Sequence, residues 1–318
     1  MNKFKTAVLL VFVLALAAGC GRPAAPESPG ASPRTDSSAA VRGIPPEIKA
    51  RADYAVIVSL DGLRPDAIPK AEAPVLQGLI RQGAFAKARG TMPTDTLPSH
   101  VSLVTGLEAR RHGVDWNDSR GGNVEFPTVF STVKQAGRTT ALFFAKGKLR
   151  YLARPGDVDF TYGPEPDGFS RRDVSAAGIA AAFASEWPRR KFALTVVHFA
   201  EMDAAGHSTG WMSSDYIREL NFVDQAVGIL VKTIGDAALS DKTVFIVTAD
   251  HGGMDHTHGG DSPEEITIPW ICVGPNVSPG LSVKNPVRLV DTAPTALAFL
   301  GLVFPKGIDG KAVGEVLP

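Results

Sequence analysis

An α/β fold, doubly wound around a mostly parallel central sheet with helices on both faces, is predicted by three observations. Five runs of strand length, at residues 54–60, 140–144, 192–199, 243–248 and 268–273, are continuously apolar or β-branched. Such runs belong to strands buried on both faces. Helical candidates separate them, at 73–82, 99–105, 128–136, 173–186, 214–235 and 292–300, so strand and helix alternate along the chain. Acidic and histidine residues cluster directly after several of the runs, at the carboxyl ends where open sheets of this kind bind ligands.

Taken in order, YAVIVSL ends in Asp61-Gly62, and TALFF leads into AKGKLR with Lys146 and Lys148. FALTVVHF is followed by EMDAAGH with Asp203 and His207, and TVFIVT by Ala249, Asp250 and His251. IPWICV is the fifth, with Cys272 inside it. The chain of 318 residues, 44% hydrophobic, is long enough to bury a large core. With 33 basic and 33 acidic side chains there is no global field to draw it to nucleic acid, so an anionic substrate must be attracted locally.

Residues 50–318 are expected to form a single catalytic domain, with no internal repeat or second linker. Residues 1–20 stand apart: Lys3 and Lys5 precede an uncharged run from Ala7 to Ala18 that ends in small residues, the layout of an export signal. The segment LAAGC resembles the lipobox of bacterial lipoproteins, which implies acylation at Cys20, an anchor in a bacterial membrane and a periplasmic or surface-facing enzyme. Ordinary cleavage and secretion is the alternative. Residues 21–49, rich in Pro, Ala, Ser and Gly, read as a disordered tether that cannot bury enough surface to offset its ordering entropy. With Cys20 so assigned, Cys272 is a lone buried thiol, and there is no disulfide framework.

The chemistry-bearing set is Asp61, Thr96 in TDTLPSH, Asp203, His207, Asp250, His251 and His258. Carboxylates and imidazoles in this mixture ligate zinc or a similar divalent ion, and six of them suffice for two three-residue sites around one nucleophile. Each has a simpler role taken alone. Asp61 could cap a turn, Thr96 a helix, and Asp203 with His207 could be a solvated i,i+4 pair. Asp250 and His251 are adjacent and need an irregular turn, which Gly252-Gly253 permits.

In colinear order, VIVSLDGLRPD, TDTLPSHVSLVTGLEARRHGV, MDAAGH, TADHGG and VDTAPTALAFLGL with IDG resemble the alkaline phosphatase superfamily. The match is nearest to its nucleotide pyrophosphatases and phosphodiesterases, which use a threonine nucleophile. The resemblance implies that Asp61, Asp250 and His251 hold the ion that binds Thr96, and that Asp203, His207 and His258 hold a second. His258 is preferred over His256 because HGGDSPEE is the better match. The resemblance also implies that Asn117 contacts a phosphate oxygen, and that His100 and His112 are structural. His198, in mid-strand, reads as a core histidine.

Two ions can activate the attacking oxygen, neutralise the transferred oxygens and stabilise the leaving oxygen. Thr96, ahead of a helix expected from about Ser99, is also placed where backbone N–H groups favour phosphate. Lys146 and Lys148, alternate residues of an extended segment, could both face a doubly charged terminal phosphate. Their segment is similar to the AKDKLR stretch of phosphonoacetate hydrolases, in which both lysines contact substrate. The expected function is therefore a two-zinc phosphohydrolase acting on a small phosphorylated or phosphonate substrate. Diesterase or pyrophosphatase activity is the first reading, and monoesterase or C–P hydrolase activity the alternative. A phosphomutase and an inactive surface binding protein are the readings outside that class.

Overall fold

A computed structural model describes residues 50–164 and 174–317; the expected signal, tether and Cys20 lie outside the described residues. The central run, β1 (Tyr54–Leu60), is flanked in parallel by β5 (Leu194–Phe199) and β6 (Thr243–Thr248), with Ile57 paired to both Val196 and Ile246. Beyond β5 lie β3 (Thr140–Phe144) and β4 (Phe160–Tyr162); beyond β6 lie β7 (Thr267–Val273), β2 (Ala84–Arg89) and β8 (Leu281–Ser282). Among the described residues this makes an eight-stranded sheet in the order β4-β3-β5-β1-β6-β7-β2-β8. Only β7 runs antiparallel to its neighbours, so the sheet is mostly parallel, as expected.

Every residue of β3, β5 and β6 is buried, which explains their unbroken apolar sequence. Three strands were missed by sequence: β4 and β8 are only three and two residues long, and β2 reads AFAKAR, in which Ala84, Ala86 and Ala88 face inward while Lys87 and Arg89 face out. The inward positions of β2 are alanines, residues depleted in strands, so the period-2 signal is faint.

Helices α1 (Pro74–Gln82), α5 (Ala176–Arg190), α6 (Glu201–Thr209) and α7 (Ser214–Asp236) form one layer. On the other side, α2 (Thr96–Thr105) packs on α4 (Val129–Gln135) and α9 (Thr292–Phe299), and α9 lies on β1 and β6. Short α3 (Ala109–His112) and α8 (Pro263–Ile266) connect these elements. The caps are local chemistry: Thr128 accepts from the Ser131 N–H at α4, and Ser213 from the Tyr216 N–H at α7. Helix α2 begins at Thr96, three residues before the expected start. All ten of its residues are buried, so it has no amphipathic pattern from which to read its boundary.

His112 is a buried structural imidazole, as expected. Its Nδ1 accepts from the Val114 N–H at 3.1 Å, and its Nε2 therefore donates to Ser102 Oγ at 2.9 Å. Burial pushes its pKa down to about 4. A histidine depressed in the folded state contributes stability that is complete above the unfolded value of about 6.5 and is lost as pH falls toward the folded value. Chemical denaturation of wild type should therefore lose about 3 kcal/mol between pH 7 and 4 through this residue. His112→Gln should flatten that acid limb, and an unchanged slope would refute the assignment.

Candidate active site

The parallel strands β3, β5, β1 and β6 are consecutive in the sheet, so the segments leaving their carboxyl ends emerge along one edge. Asp61 directly follows β1, Asp203 and His207 stand on α6 after β5, Asp250 and His251 follow β6, and Lys146 follows β3. The approach is close: Gly62 has φ +75°, and a Cβ there would lie 2.9 Å from Asp203 Cα. The freedom expected of Gly252-Gly253 is used differently, because neither has a positive φ. A Cβ on Gly252 would meet the Glu264 carbonyl at 2.1 Å, so these glycines permit close packing.

Two groups result whose donor atoms could hold an ion, Asp61 with Asp250 and His251, and Asp203 with His207 and His258. Each carboxylate is divided in the same way. Asp61 Oδ2 accepts from His198 Nε2 at 2.9 Å and lies 2.7 Å from Lys146 Nζ. Asp203 Oδ2 accepts from Lys146 Nζ at 2.5 Å, and Asp250 Oδ1 accepts from the N–H groups of Gly62 and His251 at 3.1 and 2.9 Å. The other oxygens, Asp61 Oδ1, Asp203 Oδ1 and Asp250 Oδ2, are buried without a hydrogen-bond partner.

The histidines show the complementary arrangement. Nδ1–H of His251 donates to the Gly252 carbonyl at 2.7 Å, that of His207 to His256 at 2.9 Å, and that of His258 to Thr94 at 2.8 Å. This leaves Nε2 of each ring to its cluster: 3.3 Å from Asp61 Oδ1 for His251, and 3.3 and 3.4 Å from Asp203 Oδ1 for His207 and His258. Anchoring one ring nitrogen on a carbonyl to present the other is the usual outer arrangement of a metal ligand. His256 is exposed, donates to the His207 carbonyl and belongs to neither group.

The electrostatics fit a cation. Burial and the Asp61 carboxylate push Asp250 up to about 6. Burial disfavours charge on His251, yet Asp250 and Asp61 raise it to about 9. Burial likewise raises Asp61, but Lys146, His198 and His251 outweigh it and hold the carboxyl well below its ordinary value. Buried carboxylate oxygens without hydrogen-bond partners, packed against one another and against an imidazole nitrogen, are what a metal ion would neutralise.

Thr96 is buried at the N-terminus of α2, with Lys146 Nζ 3.5 Å from its Oγ1. Asn117 Oδ1 accepts from the Leu97 N–H and from Lys148 Nζ, each at 3.0 Å. The two lysines do not occupy an extended segment as expected. Lys146 precedes a 3₁₀ turn at Gly147–Leu152 that contains Lys148, so the ammonium groups reach different partners. Burial and then Lys146 lower the pKa of Lys148.

Three contributors escaped the sequence. His198 is buried as expected, but its partner is Asp61. His100 donates from Nδ1 to the Thr96 carbonyl at 2.7 Å and pairs with Ser59 Oγ at 2.9 Å. Its i,i+4 spacing from Thr96 was the available signal. Asp95 accepts from Asn117 Nδ2 at 3.4 Å, with His258 Nδ1 3.3 Å from the same oxygen.

The sequence profile of the type I phosphodiesterase / nucleotide pyrophosphatase family matches residues 55–267. GPI ethanolamine phosphate transferase 1 of Gibberella zeae is 29% identical over 72% of this chain, which spans 26% of that protein's length. Human ectonucleotide pyrophosphatase/phosphodiesterase family member 7 is 26% identical, over 66% of this chain and 50% of that protein. Among solved structures, murine ectonucleotide pyrophosphatase / phosphodiesterase 5 superposes with a TM-score of 0.67 at 16% identity, over 80% of this chain and 96% of that one. The phosphonate monoester hydrolase of Silicibacter pomeroyi does so at 0.62 and 16%, over 82% and 76%. At these identities the superpositions show the shared fold.

The relatives correct the expected location. Matches to fungal GPI ethanolamine phosphate transferases point away from a bacterial lipid-anchored localisation, and Cys20 lies outside the described residues. Among the described residues no helix is long and apolar enough to cross a membrane. With the profile matching residues 55–267 and the sheet order and site edge in accord with it, the chain belongs to the type I phosphodiesterase / nucleotide pyrophosphatase family of the alkaline phosphatase superfamily.

Proposed function

We propose that this chain is a two-zinc phosphohydrolase that cleaves phosphate esters or anhydrides through a covalent phosphothreonine at Thr96. The observation that carries the reading is the set of six ligand atoms, three bare carboxylate oxygens and three imidazole Nε2 atoms, presented in two groups beside one buried threonine. Mixed nitrogen and oxygen donors suit zinc. Bound there, the ions would lower the pKa of the attacking hydroxyl and act as Lewis acids toward phosphoryl oxygens.

The protein's own groups define the rest. Thr96 Oγ attacks phosphorus and gives its proton to solvent while the bond to the leaving oxygen breaks, and that oxygen takes a proton from solvent as it departs. Water then attacks the phosphothreonine, losing a proton to solvent, and the P–O bond to Thr96 breaks, so that the threonine regains its hydroxyl proton and the phosphoryl product is released. At the start of α2 the Leu97 N–H is held by Asn117 Oδ1, Pro98 has none and the Ser99 N–H bonds the Asp95 carbonyl, so the Thr96 N–H, with Asn117 Nδ2 and Lys148 Nζ, offers donors to the non-bridging oxygens. Lys148 is the cation better placed for a terminal phosphate, because Lys146 already serves Asp61 and Asp203. A second reading follows from the transferase names of the fungal relatives, in which an acceptor hydroxyl replaces water in the second step.

The experiment compares an aryl monoester, an aryl diester, a nucleotide and a phosphonate on purified protein, with metal content measured beside it. An active preparation without stoichiometric metal would sink the two-metal reading, and metal without turnover would favour a binding protein. A hydrogen bond to a charged group contributes about 1.5–3 kcal/mol, so Lys148→Ala should lower monoester or phosphonate kcat/KM by about tenfold to a hundredfold and diester hydrolysis much less. Equal losses on both would place Lys148 outside terminal-phosphate recognition.

A further inference from the structure

His198 is the penultimate residue of β5 and has no exposed surface; sequence reads it as a mid-strand histidine filling the core. A buried imidazole needs partners for both nitrogens, and the identity of those partners is informative. Nδ1 accepts from the backbone N–H of Ala145 at 3.2 Å. An accepting Nδ1 carries no proton, so the ring is the neutral Nε2–H tautomer. That hydrogen goes to Asp61 Oδ2 at 2.9 Å.

The same oxygen faces Lys146 Nζ at 2.7 Å, and Lys146 directly follows Ala145. His198 therefore spans strands β1, β3 and β5: it stands on β5, receives a hydrogen bond from the end of β3 and gives one to the residue after β1. Both donors to Asp61 Oδ2 depend on it, one directly and one through the backbone that carries Lys146. With Oδ2 held by two donors, Oδ1 remains bare and buried beside His251 Nε2.

We propose that His198 is a positioning residue for the first metal group, fixing Asp61 in a one-oxygen presentation and setting the placement of Lys146. This rests on the two-metal reading of the site. Groups that hold a ligand in this way typically change metal affinity by about tenfold to a hundredfold when removed. A residue that only fills space would leave metal affinity unmoved when replaced by an apolar side chain of similar length.

The test uses the full chain with His198→Met and His198→Gln. Gln can accept from the Ala145 N–H through its carbonyl and donate to Asp61 through its amide, whereas Met can do neither. Zinc affinity is measured by competition with a chromophoric chelator, and the visible spectrum is recorded after cobalt substitution. His198→Met is expected to weaken one of two zinc sites by about tenfold to a hundredfold and shift the cobalt bands, and His198→Gln to stay near wild type. Wild-type affinity and spectrum in His198→Met overturn the inference while leaving the two-metal reading intact. Equal loss in both variants overturns it as well, since packing and not hydrogen bonding would then be responsible. A wild type that takes up no zinc overturns the reading and the inference together. If His198→Met does not fold, His198→Gln decides: near-wild-type affinity supports the assignment, and a loss beyond tenfold overturns it.

Discussion

Thr96→Ala is expected to lower kcat by about 10⁴-fold or more on every phosphate substrate, a barrier increase of about 5 kcal/mol. The loss should be this large because no other hydroxyl among the described residues is tied to the site in the same way. Thr96 is buried at the first position of α2, close to Lys146, with Asn117 bonded to the next backbone N–H. Metal content and fold should survive, since the six atoms proposed as ligands come from other residues. Thr96→Ser keeps a hydroxyl and should retain partial activity. Acid-quenched wild type, given phosphate-labelled substrate, should carry label on Thr96. Turnover by Thr96→Ala at the wild-type rate would exclude the covalent route.

Removing a proposed ligand should have a comparable effect on turnover and a visible one on stability. His251→Ala deletes one member of the first group and leaves the bare Asp61 and Asp250 oxygens with a weaker claim on the ion. An ion that binds only the folded state stabilises it by RT ln(1 + [L]/Kd), about 2.7 kcal/mol at a hundredfold excess over Kd. Wild type should therefore melt several degrees lower in chelator. His251→Ala should show a reduced chelator shift and lose most activity. Equal chelator shifts in the two proteins would mean that His251 ligates nothing.

Much of the fold was legible because β1, β3, β5 and β6 are buried on both faces, and that burial is written directly as unbroken apolar sequence. Where burial is carried by alanine, as in β2, or surrounds a helix completely, as in α2, the pattern is lost or its boundary shifts. The candidate site was legible because its residues follow strand ends, so their order along the chain marks one edge of the sheet. Asp61, Asp203 and Asp250 could be named for that reason, and geometry groups His258 and not His256 with Asp203 and His207.

The sequence by itself determined the fold class, the strands whose ends carry chemistry and the residue types gathered there, because hydrophobic period and motif order are local properties of the chain. Only the tertiary structure decided which oxygen of each carboxylate is bare, which ring nitrogen of each histidine is free, and that Lys146 and Lys148 have different partners. The same is true of His198, whose meaning depends on Asp61, 137 residues away, and on a register that places β5 beside β1. Hydrogen bonds are directional and short, so they are settled by sub-ångström placement between distant segments, which no spacing along one chain encodes.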